Sequence, residues 1–426
     1  MTNKKFKLAA MSLATAVAVS TVGPSASAVT YYLGDGSVTV DKDVDRGAYS
    51  YQGEDGSEEH RTYVNEDKAE TGDGTIYVKD GNAPTEEVTD NSNNSTEVPT
   101  PTDNDTQSTD ASGNNTENST TTETAPGNTI TVKEDVKDAT IVVDGVNVDT
   151  TSTPTEVATD TGNTGDKTII KVGEGANVDL TVKDSNLTTG GNGIDIGVNL
   201  EDKDDNKETN VDLTLDNTKI NLTEKDNTAG IVARDHSKVD VTLKGENTID
   251  GKEALEDAAK EAEEAKKEGT SSPNRNVEGI RVGGENAGDD SSGEGASLTI
   301  KGDETSDQGS LNIDHTSTGM VISNDSDVTL TDNADVDIKH TEAGSSTQGG
   351  RGIVQRGDLT VEDKSSLTID TVGSGAYKID NDQEGLVYGN NGYGIDSTDD
   401  ITVTGDSTLE IKGTQSSAIY GGTVPA

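Results

Sequence analysis

Asp179-Leu180-Thr181-Val182, DLTV, returns along the chain as DLTL at Asp212, DVTL at Asp240, SLTI at Ser297, DVTL at Asp327, DLTV at Asp358 and DITV at Asp400. Each copy alternates polar with aliphatic residues. On a strand, that period of two puts the aliphatic pair on one face and the Asp/Thr pair on the other. A second strand phrase follows after a short polar turn: LTT at Leu187, INL at Ile220, VDI at Val336, LTI at Leu367, LEI at Leu409. A third opens on Gly and an aliphatic: GIDI at Gly193, GIVA at Gly230, GIRV at Gly279, GMVI at Gly319, GIVQ at Gly352, GID at Gly394. Three strands in each repeat of about thirty residues predict the rungs of a parallel β-helix, an all-β solenoid wound from one chain. No rung can bury its own apolar face, so stacking must make the core.

Composition argues the other way. Hydrophobic residues make up 28 % of the 426, and the net charge is −48, a balance typical of disordered chains. The register of the aliphatics overrules it, because a core one or two side chains wide needs few of them if they recur in step. About eight turns from residue 128 to the end, at ~4.8 Å per turn, predict a rod of roughly 40 Å.

Outside the rungs the chain divides into distinct segments. Lys4, Lys5 and Lys7, the apolar run Leu8 to Val22 and the small residues Ala26-Ser27-Ala28 read as a signal peptide over residues 1–28. Residues 29–82 carry short alternating runs that suit a small β element or an N-terminal cap. Residues 83–127, rich in Thr, Asn, Ser, Asp and Pro, predict a disordered linker. The run KEALEDAAKEAEEAKKEG, residues 252–269, exchanges Val and Thr for Ala and Glu and predicts a small inserted helix, with Ala254, Ala258, Ala262 and Ala265 near its inner stripe. No other stretch is apolar enough to predict a membrane span. There are no cysteines, so no disulfide framework is expected. Strong acidity predicts repulsion from nucleic acid and anionic lipid, and attraction for cations.

Stacking in register would align Asp179, Asp212, Asp240, Asp327, Asp358 and Asp400 in one outward column interrupted only by Ser297. It would likewise form a complete threonine column from Thr181 through Thr214, Thr242, Thr299, Thr329 and Thr360 to Thr402, beside charges at Lys183, Asp216, Lys244, Lys301 and Glu362. Carboxylates ~4.8 Å apart repel by roughly 1 kcal/mol in water, and calcium, a hard cation with flexible oxygen coordination, would relieve that repulsion. The competing reading makes each Asp a turn cap. Arg234, Arg351 and Arg356 lie beside the Gly-aliphatic strands and Arg281 within one, where they could grip sugar carboxylates or offset neighbouring acids. Tyr377, Tyr388, Tyr393 and Tyr420, near the C-terminus, are the aromatic candidates for stacking on sugars. His315 and His340 align at one turn of successive rungs; without a third nitrogen ligand in register, an exposed stack is preferred over a metal pair.

The DLTV-type strands followed by Gly-Ile strands, with the exported start, resemble a family of secreted bacterial carbohydrate-binding domain proteins. That resemblance implies a right-handed, pectate-lyase-like β-helix with calcium in the rod. It also implies a secreted or cell-surface, adhesin-like protein of a Gram-positive bacterium whose partner is a polysaccharide or a host or cell-surface glycan. The function expected is non-catalytic binding. The alternative is a polysaccharide lyase acting on uronates, with calcium held by acids and Arg281 or Arg356 as base. The last rung, lacking a cap over Ile401, Val403, Leu409 and Ile411, predicts an open edge, met either by a capping segment of a longer protein or by end-to-end self-association of two rods.

Overall fold

The computed structural model describes residues 29–33, 37–41, 47–52, 58–64, 75–80, 125–126, 128–151, 167–200, 207–225, 227–268, 276–284, 295–303, 309–341, 350–372, 376–378, 386–388, 392–412 and 417–421. The predicted signal peptide and residues 83–124 of the expected linker lie outside them. So do the side chains of Ala262 and Ala265.

Three long sheets interleave, and from Ile76–Lys79 onward the chain visits them in rotation, whereas Ser37–Val40, Gly47–Gln52 and Glu58–Val64 all belong to the Gly-Ile sheet. In one rung Ile170–Gly173 belongs to the Gly-Ile sheet, Asn177–Lys183 to the Asp sheet and Asn186–Thr189 to the third; Ile194–Val198 then returns to the first sheet beside Ile170–Gly173. This is a parallel β-helix. The Asp sheet runs Val29–Tyr32, Ile76–Lys79, Ala139–Asp144, Asn177–Lys183, Thr209–Asp216, Ser237–Lys244, Ser297–Gly302, Asp327–Thr331, Asp358–Val361, Ile401–Val403. Residues 29–80 therefore contribute strands to the rod itself, and Ser37–Val40 pairs with Ile130–Val132 in the Gly-Ile sheet. Ala125–Pro126, at the end of the segment expected to be linker, pairs with Asn147–Asp149 in the third sheet. The long sheets are parallel throughout, except that Gly47–Gln52 runs antiparallel to Glu58–Val64.

The core is a stack of aliphatic columns. Leu187, Ile220, Ile249, Ile313, Ile338 and Ile369 of the third sheet are at most 1 % exposed, and burying each such side chain contributes roughly 1.5–3 kcal/mol. The glycine that opens each Gly-Ile strand is the counterpart of this column. A Cβ on Gly279 would lie 2.3 Å from Ile313 Cγ2 and 2.4 Å from the Gly319 carbonyl oxygen, and one on Gly319 would lie 2.3 Å from Ile338 Cγ2. Glycine recurs there because isoleucine and backbone already fill the space.

Corners between the Asp sheet and the third sheet need left-handed backbone. Gly145, Asp184, Asn217 and Gly245 take it in successive rungs, with φ of 67°, 48°, 50° and 59°; these are residue types that tolerate the αL region. Behind the corner, polar side chains close the backbone: Ser185 Oγ accepts from the Val146 amide at 3.2 Å, and Asn247 Oδ1 accepts from the Thr218 amide at 3.0 Å.

One expectation is corrected. Between Ser237–Lys244 and Ser297–Gly302 the register places Val239 opposite Leu298, Asp240 opposite Thr299, Val241 opposite Ile300 and Thr242 opposite Lys301. The repeated phrases are thus offset by two residues, and neither the Asp column nor the Thr column is continuous. A shift of two keeps every aliphatic facing inward, which is why the core tolerates it. Lys301 consequently leaves the charge column in which Lys79, Asp144, Lys183, Asp216 and Lys244 alternate in sign.

The inserted helix spans Lys252–Glu268, starting where Asp250 Oδ1 accepts from the Lys252 amide at 3.0 Å. It buries Ala254, Leu255 and Ala258. No described helix is long and apolar enough to cross a membrane. At the far end Ile401 is 1 % exposed, so the expectation that it lacks cover is corrected; Val403 is 39 % exposed, and Leu409, Ile411 and Ile419 are only partly buried against the core.

Candidate functional site

The register shift divides the six aspartates into two groups. Asp179, Asp212 and Asp240 stand side by side in consecutive rungs. Burial pushes the Asp212 carboxyl above its ordinary range, Asp179 and Asp240 push it further, and Lys301 and Lys238 oppose them. Lys301 reaches back to Asp240, with Nζ 2.8 Å from Oδ2. In the second group Asp327 pairs with Asp358, and Asp400 precedes Ile401, the partner of Leu359. Carboxylate oxygens of Asp358, Asp399 and Asp400 all lie within 4.8 Å of one another. The Asp358 carboxyl is raised by desolvation first and then by Asp399, Asp327 and Asp400, with no cation opposing. An all-oxygen set with this excess of negative charge suits a hard divalent ion. The sequence phrase identified Asp358 and Asp400; Asp399 was missed because it precedes the phrase and belongs to the turn.

The four candidate arginines, Arg234, Arg281, Arg351 and Arg356, are all engaged by acids on the outward side of the Gly-Ile sheet. Arg234 holds Asp195 bidentately, Nε to Oδ1 at 2.8 Å and Nη2 to Oδ2 at 2.9 Å. Arg281 Nε donates to Glu278 Oε2 at 2.6 Å, both side chains being buried. Burial raises the Glu278 carboxyl, and Arg281 acts against that rise. Arg351 and Arg356 flank Asp396 at 3.5 and 3.6 Å, and Arg356 Nη1 also donates to the Gln355 and Asp396 carbonyls. The arginines are legible in the sequence, but the partners of Arg234, Arg351 and Arg356 are not, because Asp195 and Asp396 lie a rung away; Glu278, three residues before Arg281 in the same strand, is the exception.

Among the tyrosines, Tyr393 is buried and Tyr420 stacks on it with ring centroids 4.5 Å apart and planes 8° from parallel. Tyr420 is 54 % exposed. Ala376–Lys378 and Leu386–Tyr388, which carry Tyr377 and Tyr388, pair antiparallel in a sheet of their own rather than joining a rung; the two tyrosine side chains lie outside the described residues. His315 and His340 stack as the turn alignment predicts, 5.1 Å apart and 18° from parallel. The sequence reading did not connect Asp314 with them.

A cleft absent from the sequence reading opens between the helix and the outward face of the third sheet. Its floor is Thr188, Asn221, Leu222 and Asp250, and its wall is Lys252, Glu253, Glu256, Asp257 and Lys260. Beside it runs an amide ladder: Asn186 Nδ2 donates to Asn147 Oδ1 at 2.9 Å, and Asn221 Nδ2 donates to Asn186 Oδ1 at 2.8 Å. The helix needed only an insertion to be recognised, but the face on which it lands depends on three-dimensional packing.

Comparison with models of known protein families, with curated proteins and with solved structures finds no match to this chain.

Proposed function

We propose that this chain is an exported, non-catalytic carbohydrate-binding rod, acting as a secreted or surface-displayed adhesin toward a polysaccharide or cell-surface glycan. The observation that carries the reading is the cleft between the helix Lys252–Glu268 and the third sheet, floored by Thr188, Asn221 and Asp250 and continued by the Asn147–Asn186–Asn221 ladder. Amides, hydroxyls and carboxylates supply the mixed donors and acceptors that vicinal sugar hydroxyls need. Thr188, Asn221 and Asp250 stand opposite one another in successive rungs, at a spacing of about 4.8 Å, close to the length of one pyranose unit. The lyase alternative needs a basic side chain available to take a proton, whereas Arg281 and Arg356 are bound to Glu278 and Asp396. Calcium is proposed as a stabilising ion at Asp358, Asp399 and Asp400, whose donors are those of a hard cation.

Affinity electrophoresis through gels cast with soluble neutral and uronate polysaccharides tests the reading. The full chain should be retarded by at least one of them, and the Thr188→Ala, Asn221→Ala double variant should run freely. Accumulation of unsaturated uronate product, followed by ultraviolet absorbance over polygalacturonate, would overturn the non-catalytic reading; retardation unchanged in the double variant would overturn the cleft as its site.

A further inference from the structure

The geometry points to a transition-metal site formed by His315, His340 and Asp314. Both histidines take the same left-handed corner of successive rungs, with φ of 49° and 46°. Asp314 lies opposite Lys339 in the register, so His315 and His340 follow side by side. Their Nδ1 atoms converge on one oxygen: Asp314 Oδ1 is 3.2 Å from His315 Nδ1 and 2.7 Å from His340 Nδ1. Asp250 Oδ1, one rung earlier, stands 3.4 Å from His315 Nδ1.

Simple Asp–His pairing accounts for part of this arrangement. It accounts for His340, whose Nδ1 meets Asp314 Oδ1 at hydrogen-bonding distance. It leaves His315 unexplained, because its Nδ1 is shielded from solvent and, among the described residues, has no hydrogen-bond partner despite two nearby carboxylates. A buried polar atom without a partner is costly, and a ligand at the point of convergence would satisfy it. Lys339, the cation in register with Asp314, does not neutralise the group: its Nζ turns to Asp337 at 2.7 Å and Asn312 at 3.2 Å.

Size and chemistry agree with this assignment. Metal–ligand distances of about 2.0–2.1 Å in a tetrahedron put ligand atoms about 3.3 Å apart, close to the His315–Asp314 and His315–Asp250 separations. The shorter His340–Asp314 distance must open by roughly 0.6 Å to reach that geometry, and His340, with a side chain 55 % exposed, has room to move. Two imidazoles and a carboxylate select zinc, copper or nickel over calcium and magnesium. The site is therefore chemically distinct from the all-oxygen cluster at Asp358.

The test titrates the metal-free full chain with zinc in a calorimeter, with excess calcium present to occupy oxygen-only sites. Asparagine, which tolerates left-handed φ, replaces one histidine and the shared acid in separate His340→Asn and Asp314→Asn variants. The expected result is one zinc per chain at micromolar affinity or tighter, weakened at least about tenfold in each variant, with copper showing two nitrogen ligands in its electron paramagnetic resonance spectrum. Zinc binding equally tight in both variants, no zinc binding in the micromolar range, or a copper spectrum without nitrogen coupling would overturn the assignment.

Discussion

The two halves of the Asp sheet are built from nearly the same phrase and solve the same problem differently. Before the register shift, strands carry three inward aliphatics, as in Val178, Leu180 and Val182, and leave by a corner with one left-handed residue, as at Asp184 or Asn217. After it, strands are shorter and the corners hold two consecutive left-handed residues: Asp332-Asn333, Asp363-Lys364 and Gly405-Asp406. Where the styles meet, Ser297–Gly302 pairs with Lys238–Leu243 inside the longer strand Ser237–Lys244. The inward face does not register the change, since a two-residue offset preserves alternation. The outward face does, because Lys301 is carried beside Asp240, whereas the charged groups that shift Asp358 are all acids. Core periodicity therefore fixes the fold while leaving the surface columns free to break.

The largest effect should come from forcing the junction. Gly302 lies opposite Leu243, and a Cβ there would sit 2.6 Å from the Asp332 carbonyl oxygen and 2.7 Å from that of Asn333. Gly302→Ala should destabilise the rod by about 1–3 kcal/mol in urea unfolding. A neutral result would mean that the wide corner is not packed against the short strand.

A smaller effect should follow from making the upstream group resemble the downstream one. Lys301→Met removes the partner of Asp240 and one of the two cations that hold the Asp212 carboxyl down. The cost should be at most about 1 kcal/mol at neutral pH and low salt, shrinking as salt screens the repulsion. Thermal melts across a sodium chloride series check it; a loss that does not depend on salt would point to packing instead.

The smallest effect runs in the opposite direction. The folded-state value of Asp358 is raised above 3.8, so its contribution to stability is fully present below the ordinary carboxylate range and is lost as pH rises through the raised value. Asp358→Asn should therefore melt slightly higher than the parent at neutral pH, and the two should converge near pH 3, roughly where the carboxyl is protonated in both states. Melts of both proteins from pH 3 to 7 test this, and a variant less stable than the parent at neutral pH would show that Asp358 holds the turn rather than straining it.

Much of this was legible in the chain. Alternation in DLTV, the Gly-aliphatic openings and the short polar turns between phrases were sufficient for the three-sheet rotation, because each encodes a local constraint: inward aliphatics, missing Cβ atoms, a break between strands. The register shift was harder to see. Its trace is the extra Val178, Val211 and Val239 before the upstream phrases, where Ala296, Ser326 and Gly357 precede Ser297, Asp327 and Asp358; matching by the phrase alone hides that difference. The arginine partners were illegible for another reason. Arg234 and Asp195 lie 39 residues apart, and only the pitch of the helix brings them together. The same holds for the helix cleft and for Asp314 between its two histidines.

The chain has no cysteine of its own, so disulfide trapping can measure the register directly. Directly opposed strands bring Cα atoms to about 4.8 Å, within the range a disulfide spans, whereas an offset of two residues exceeds the limit of about 7 Å. The Asp240→Cys, Thr299→Cys pair should form an intramolecular disulfide under mild oxidation, and the Asp240→Cys, Ser297→Cys pair should remain reduced. Efficient cross-linking of positions 240 and 297, with 240 and 299 failing, would restore a single Asp column interrupted only by Ser297 and contradict the division of the rod into two electrostatic halves.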